Sequence, residues 1–318
     1  MRIVFMGSPA LACPALLRLF AEPSADVVGV VTQPDRPSGR RLKIAPCAVK
    51  QLAEERGMTV LTPGNVNAPE ALAGLRALAP DLIAVVAYGQ LLKAGVLATP
   101  PRGCVNVHCS LLPKYRGAAP MQWAIVRGET VTGVTTFFLD TGMDTGDIVF
   151  QKEEPIRPED TAGTLGERLA EKGAVLLAET VRAIEEGSAP RRAQAHAEAT
   201  HARKLRKEDG RINWAQPARD IAQWIRGLNP WPCCFTTLPA ASPAGVKPRL
   251  FLRVLSAAVE DGAGKPGEVI DVSGAGPLVA SGDRAVRLLE VQPEGKSAMS
   301  GAACLRGHAV PKGSILGP

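Results

Sequence analysis

From its first residue to about residue 189 the chain alternates short apolar runs, rich in Val and Ile and bounded by Gly, Pro or Asp, with longer helix-like stretches. No other feature limits the possible folds as strongly, because each texture selects one element type. Residues 2–6, 27–31 and 81–87 read as strands buried on both faces, as in a parallel sheet. Residues 11–20, 48–56 and 69–78 read as the crossover helices between them. A strand over 104–107, a helix near 119–127 and a strand over 132–139 extend the pattern, and a long helix over 165–186 closes it. The expected class is α/β, a doubly wound, mostly parallel sheet whose ligands sit beyond the carboxyl ends of the strands. The first strand-to-helix turn, Gly7-Ser8-Pro9-Ala10-Leu11-Ala12, lacks the second and third glycines of a dinucleotide fingerprint and gives no support to a nicotinamide cofactor.

Past residue 228 helix signals become scarce. Runs at 250–255, 267–272, 277–280 and 285–291 are separated by Gly, Pro and Asp, which is the rhythm of a small C-terminal antiparallel β-barrel. A length of 318 residues also exceeds the usual single domain. The expected division is a catalytic domain over 1–189, a basic linker over 190–207 and a barrel over 208–318.

With 46% apolar and 21% charged residues the chain is an ordinary globular sequence, far from the composition of disorder. It contains no window of about 18 apolar residues that could span a bilayer. Its opening apolar run is too short for a signal peptide. The seven cysteines are odd in number and form no C-x-x-C pair, which argues against a disulfide framework and against a zinc site. A cytoplasmic monomer without a metal is expected. The adjacent Cys233 and Cys234 read as small buried apolar groups rather than as a redox pair. The net charge of +6 is concentrated. Residues 34–50 hold Arg36, Arg40, Arg41, Lys43 and Lys50 against Asp35, and residues 191–207 hold Arg191, Arg192, Arg203, Lys204, Arg206 and Lys207 against Glu198. These segments carry +4 and +5 while the remainder sums to −3, a distribution suited to a polyanion.

The most informative segment for chemistry is Val105-Asn106-Val107-His108-Cys109-Ser110-Leu111-Leu112-Pro113-Lys114-Tyr115-Arg116-Gly117. Side chains two apart on a strand point to the same face, so Asn106 and His108 emerge together. An amide donor beside an imidazole suits a reaction that builds negative charge on a carbonyl oxygen. A glycine-bracketed loop, Thr141-Gly142-Met143-Asp144-Thr145-Gly146-Asp147, follows the 132–139 strand and offers Asp140, Asp144 or Asp147 as a carboxylate partner for that imidazole. His196 and His201 are five apart, which misses the spacing of a chelating pair.

The run from Asn106 to Gly117, followed by Met143-Asp144-Thr145-Gly146-Asp147, resembles the formyltransferases that use 10-formyltetrahydrofolate. Thr32-Gln33-Pro34-Asp35-Arg36-Pro37-Ser38-Gly39-Arg40, Leu205-Arg206-Lys207-Glu208-Asp209-Gly210-Arg211-Ile212-Asn213-Trp214 and Asn229-Pro230-Trp231-Pro232 extend the likeness to both halves. They match the branch of that family whose acceptor is methionine on initiator tRNA. The resemblance implies a Rossmann-like formyltransferase domain followed by an oligonucleotide-binding (OB-like) barrel. It implies catalytic Asn106, His108 and Asp144, and folate contacts from Ser110, Leu111, Leu112 and Pro113. It further implies tRNA contacts from Arg36, Arg40, Arg41 and Lys43 after the second strand and from Arg203, Lys204, Arg206 and Lys207 in the linker. One departure is Cys109, where Gly or Ala is expected.

On this reading Asn106 and His108 hold the oxyanion formed as the amine attacks, and Asp144, directly or through water, orients His108 and assists proton movement. Three rivals share some of these features. A formyltransferase for a small amine, such as a nucleotide sugar or glycinamide ribonucleotide, needs the same trio but not two basic segments and a barrel. An idle RNA-binding module would bind tRNA without formyl transfer. A folate hydrolase would use water as acceptor.

Overall fold

The alternation closes into a seven-stranded sheet whose spatial order is Ile148–Pro155, Val131–Phe138, Cys104–His108, Leu82–Val86, Arg2–Gly7, Asp26–Val31 and Val60–Leu61. The computed structural model describes residues 1–38, 43–238, 250–308 and 310–317. The last five strands of that order run parallel, and Val131–Phe138 is antiparallel to both of its neighbours. Chain direction across the sheet reverses between Arg2–Gly7 and Leu82–Val86, so the switch-point crevice opens at Gly7 and Val86, which lie opposite each other.

Strand side chains alternate between two cores. Ile3, Phe5, Val105 and Val107 pack beneath the helices Cys13–Phe20, Ala48–Glu55 and Ala162–Glu185 through Leu16, Val49, Leu177 and Val181. Val4, Met6, Ile83 and Cys104 face the other way, against Leu75 and Val96 of the helices Pro69–Ala77 and Ala94–Leu97. Helices on both faces make the sheet doubly wound, as the sequence implied. Two details differ. The first helix is preceded by a 3₁₀ turn, Ala10–Ala12, with Pro14 in the opening turn of the α-helix, where a missing N–H costs nothing. The strand Ile148–Pro155 has no counterpart in the expected pattern, its Lys152, Glu153 and Glu154 lacking the apolar signature of a buried strand. It is an edge strand, where charges are tolerated, and Glu154 is held by Arg168 Nε at 2.8 Å and Lys172 Nζ at 2.6 Å.

The chain forms two compact units, each assembled from three stretches: Met1–Pro120, Val131–Pro155 and Gly166–Ala202 in one, Met121–Thr130, Ile156–Leu165 and Arg203–Pro318 in the other. The second unit holds a wholly antiparallel six-stranded sheet in the order Cys234–Leu238, Leu250–Glu260, Ala285–Pro293, Leu278–Ala280, Val269–Asp271, with Met299–Ser300 beside Ala285–Pro293. Residues 314–317 bond to both sides of this sheet. Gly317 exchanges hydrogen bonds with Thr237 at 3.1 and 2.9 Å, and Ser314 accepts from the Val269 N–H at 2.8 Å. The sheet is thereby stitched into the small barrel that the spacing of apolar runs suggested.

Candidate active site

Cys104–His108 ends at the sheet's carboxyl edge, next to Leu82–Val86 and antiparallel to Val131–Phe138. Val105 and Val107 enter one core, so Cys104, Asn106 and His108 occupy the opposite face. His108 is buried, with its ring edge-on to Phe137 at 6.4 Å between centroids. Its Nε2 lies 2.9 Å from the Tyr115 carbonyl. A carbonyl only accepts, so Nε2 carries the hydrogen and Nδ1 is the nitrogen left for exchange. Nδ1 faces Asp144 Oδ2 at 3.8 Å, beyond hydrogen-bond length and within ion-pair reach. The direct orienting bond on His108 therefore comes from Tyr115. Asn106 is half-buried, and its amide has no hydrogen-bond partner among the described residues.

The Asp144 loop is tightly held. Asp144 adopts φ 55, a left-handed conformation that Asp tolerates better than most residues. Its Oδ2 accepts the Gly117 N–H at 2.7 Å. Asp140 closes the loop start, accepting from Gly142 N–H at 2.9 Å and Thr145 Oγ1 at 2.6 Å, and Asp147 lies 3.9 Å from Arg191, which leaves Asp144 as the carboxylate turned toward the imidazole. At Gly146 an added Cβ would overlap the Phe138 carbonyl oxygen, so only glycine lets the backbone pass.

The 110–113 segment forms a closed turn. The Ser110 hydroxyl donates to the Lys114 carbonyl at 2.7 Å, and the Ser110 carbonyl accepts from Thr135 Oγ1 at 2.7 Å. Gln151 Nε2 donates to the Leu112 carbonyl at 2.8 Å and to Thr135 Oγ1 at 3.0 Å. Leu112 is buried against Phe137 and Ile148, while Leu111 and Pro113 keep part of their surface open. Cys109 is buried, and burial pushes its thiol pKa up to about 12. Near pH 8 roughly one thiol in ten thousand is then ionised. Iodoacetamide should leave Cys109 of the native protein unmodified and label it once denaturant is added; rapid native labelling, read by peptide mass spectrometry, would contradict that burial. Cys233 and Cys234 are likewise free and buried, burial raises both thiols, and Cys233 Sγ donates to the Pro230 carbonyl at 2.9 Å.

The basic residues divide. Arg36 is exposed on the short hairpin Arg36–Ser38/Lys43–Ala45 and donates to Gln33 Oε1 at 3.1 Å. Arg40 and Arg41 lie outside the described residues, and of Lys43 only the backbone is described. Lys204, Arg206 and Lys207 are exposed. Arg203 is committed elsewhere: its guanidinium pairs with both oxygens of Asp209 at 2.8 and 2.7 Å and lies 5.1 Å from the centre of the Trp123 ring.

Several residues that build this centre escaped sequence reasoning: Thr135, Gln151, Gln194 and Thr200, with the Tyr115 carbonyl and the Gly117 amide. Arg116 and Gly117 at least close the quoted motif. Gln194 had no signal, since it sits in a polar stretch and only the fold shows that it is buried.

Residues 1–181 match the formyl transferase family, and residues 204–309 match the formyl transferase C-terminal domain. The methionyl-tRNA formyltransferase of Geobacter metallireducens is 43% identical over 99% of this chain and 98% of its own length. That of Desulfotalea psychrophila is 45% identical over 99% and 95%. Among solved structures, the fold is shared with WlaRD, a sugar 3N-formyl transferase, at a TM-score of 0.64 and 17% identity, covering 93% of this chain and 99% of that one. It is also shared with HypX from Aquifex aeolicus in complex with tetrahydrofolic acid, at a TM-score of 0.62 and 19% identity, covering 96% of this chain and 47% of that one. The likeness to known sequences thus spans both units, and the chain belongs to the methionyl-tRNA formyltransferase family.

Proposed function

We propose that this protein transfers the formyl group of 10-formyltetrahydrofolate to the α-amino group of methionine on initiator tRNA, acting in the cytoplasm as a monomer. The observation that carries this reading is likeness to methionyl-tRNA formyltransferases over the whole chain, joined to a centre where His108 and Asp144 lie 3.8 Å apart beside an uncommitted Asn106 amide. The bounds 1–189, 190–207 and 208–318 for catalytic domain, linker and barrel remain part of the proposal.

The folate supplies an activated formyl carbon, and the chain's own residues do the rest. An α-amino group has a pKa of about 7.7 to 8.0, so a useful fraction is already nucleophilic at cytoplasmic pH. As it adds, the formyl oxygen gains negative charge, and the Asn106 amide donates to it; one such donor lowers a barrier by roughly 3 to 4 kcal/mol in known cases. The proton released from the amine passes to His108 Nδ1, since Nε2 is held by Tyr115. The Asp144 carboxylate stabilises the imidazolium, and the same proton then moves to the departing folate nitrogen. Ser110 and Leu112 shape the folate-facing turn, and Leu111 and Pro113 present the surface that touches it. Lys204, Arg206, Lys207 and Arg36 contact phosphates, with a smaller part for Arg203 because Asp209 already holds it.

Purified protein mixed with 10-formyltetrahydrofolate and methionyl-tRNA should yield formylmethionyl-tRNA. Contact with four phosphates would weaken tRNA binding by roughly 150-fold between about 50 and about 200 mM salt. Formyl transfer to a nucleotide-linked amino sugar instead, or formate release with no amine present, would overturn the assignment.

A further inference from the structure

Every hydrogen-bonding position of the Gln194 amide is filled. Its Oε1 accepts from Arg116 Nε at 3.1 Å and from the second terminal nitrogen of Arg116 at 2.7 Å. Its Nε2 donates to the Asp144 carbonyl at 2.9 Å and to the Gly146 carbonyl at 2.8 Å. A guanidinium only donates and carbonyls only accept, so one orientation of the amide satisfies all four partners. Both side chains are 5% exposed.

Arg116 is a buried cation without a carboxylate partner among the described residues, and its other side-chain contact is His196 Nδ1 at 3.2 Å. Burial of a charge against neutral groups is costly, so its presence here calls for a reason other than stability. Geometry supplies one. The guanidinium draws electron density toward Gln194 Oε1 and so strengthens the two N–H donors on Nε2. Both donors end on the backbone of the loop that carries Asp144 in its left-handed conformation.

The same stretch of chain holds the other side of the centre. Thr200 Oγ1 accepts the Tyr115 N–H at 2.8 Å, and the Thr200 carbonyl accepts the Arg116 N–H at 2.8 Å. Tyr115 in turn supplies the carbonyl on His108 Nε2, and Gly117 supplies the N–H on Asp144 Oδ2.

We propose that Gln194, backed by Arg116, is a positioning residue for formyl transfer, setting the Asp144 loop so that its carboxylate stands against His108 Nδ1. The inference rests on the functional reading above, and it gives residues 191–202 a part in the reaction beyond their positive charge.

Gln194→Glu separates positioning from packing. It keeps both Arg116 bonds but sets a carboxylate oxygen against two carbonyls. Its kcat should fall about 100-fold, with KM for both substrates within about threefold of the parent, as expected when reacting groups are misplaced without loss of binding. The double variant Gln194→Leu/Arg116→Met replaces buried polar partners by apolar groups of similar size, a change that can be nearly neutral for stability. Its kcat should be as low as that of Gln194→Leu alone, because Arg116 acts through Gln194. Imidazole ¹⁵N spectra give a readout independent of turnover, and with four histidines in the chain each ring is assignable. The His108 signals should move in Gln194→Glu while those of His201 and His308 stay in place. A parent protein that transfers no formyl group refutes the functional reading, whereas unmoved His108 signals refute the positioning role. A folded double variant with full activity, a kcat for Gln194→Glu within about threefold of the parent, or failure of both variants to fold would also overturn it.

Discussion

Asp144→Asn is expected to fold as the parent does and to lose about 100- to 10,000-fold in kcat, the range a positioned proton-transfer group contributes. Its affinity for methionyl-tRNA should be unchanged. Asn tolerates the φ of 55 found at this position nearly as well as Asp does. Its amide oxygen can accept the Gly117 N–H that Asp144 Oδ2 now takes at 2.7 Å, so the loop keeps its anchor. What disappears is negative charge 3.8 Å from His108 Nδ1. With a neutral neighbour, the imidazolium formed when Nδ1 takes the amine proton loses its counterion, and the step that forms it slows. Single-turnover formylation and filter binding separate the two quantities. A kcat within about tenfold of the parent would remove Asp144 from the reaction. Equal losses of kcat and affinity would instead mark it as a structural residue.

Removing residues 314–318 should unfold the C-terminal unit while leaving the sheet that carries His108 intact. Four residues, 314–317, close the barrel. Their loss strands the Val269 N–H, the Gly267 carbonyl, both backbone groups of Thr237 and the Thr236 hydroxyl, and it also removes the buried Leu316 side chain. At about 1 kcal/mol for each hydrogen bond the polar loss is about 5 kcal/mol. Burial of a leucine adds about 2 kcal/mol. Domains are commonly stable by only about 5 to 15 kcal/mol, so a loss of this size takes most or all of the margin. The two opened edges, Cys234–Leu238 and Val269–Asp271, would also be free to pair with other molecules. Limited proteolysis followed by mass spectrometry should show rapid cleavage across 203–313 and slow cleavage across 1–120. Equal protection of both regions in the shortened chain would show that the sheet holds without its stitch.

The sequence was most legible where one physical signal dominated. Buried parallel strands such as Arg2–Gly7 and Leu82–Val86 are runs of apolar residues with few other readings, and their positions agreed with the structure to within one or two residues. Period-two geometry is enough to put Asn106 and His108 on one face. Legibility failed at Ile148–Pro155 and Cys234–Leu238. A charged edge strand satisfies its acid through side chains of the helix that follows it, Ala162–Glu185, as Glu154 does with Arg168 and Lys172. No local pattern records that pairing. Residue types alone left the carboxylate open among three aspartates and the family likeness pointed to Asp144; in the fold Asp140 is bonded within its own loop, Asp147 lies 3.9 Å from Arg191, and Asp144 is turned toward the ring.

By itself, then, the sequence determined the class of sheet, the family, and the chemical types available at one strand end, because periodicity and residue identity are local properties of a chain. Tertiary structure alone decided that Tyr115 rather than Asp144 holds the His108 ring, and that Gln194 reaches the backbone of Asp144 and Gly146. It also decided that the last residues stitch the barrel. Each of these is a hydrogen bond between backbone groups or neutral side chains. A carbonyl or an amide is present at nearly every position, so only the folded chain can say which one stands within 3 Å of another.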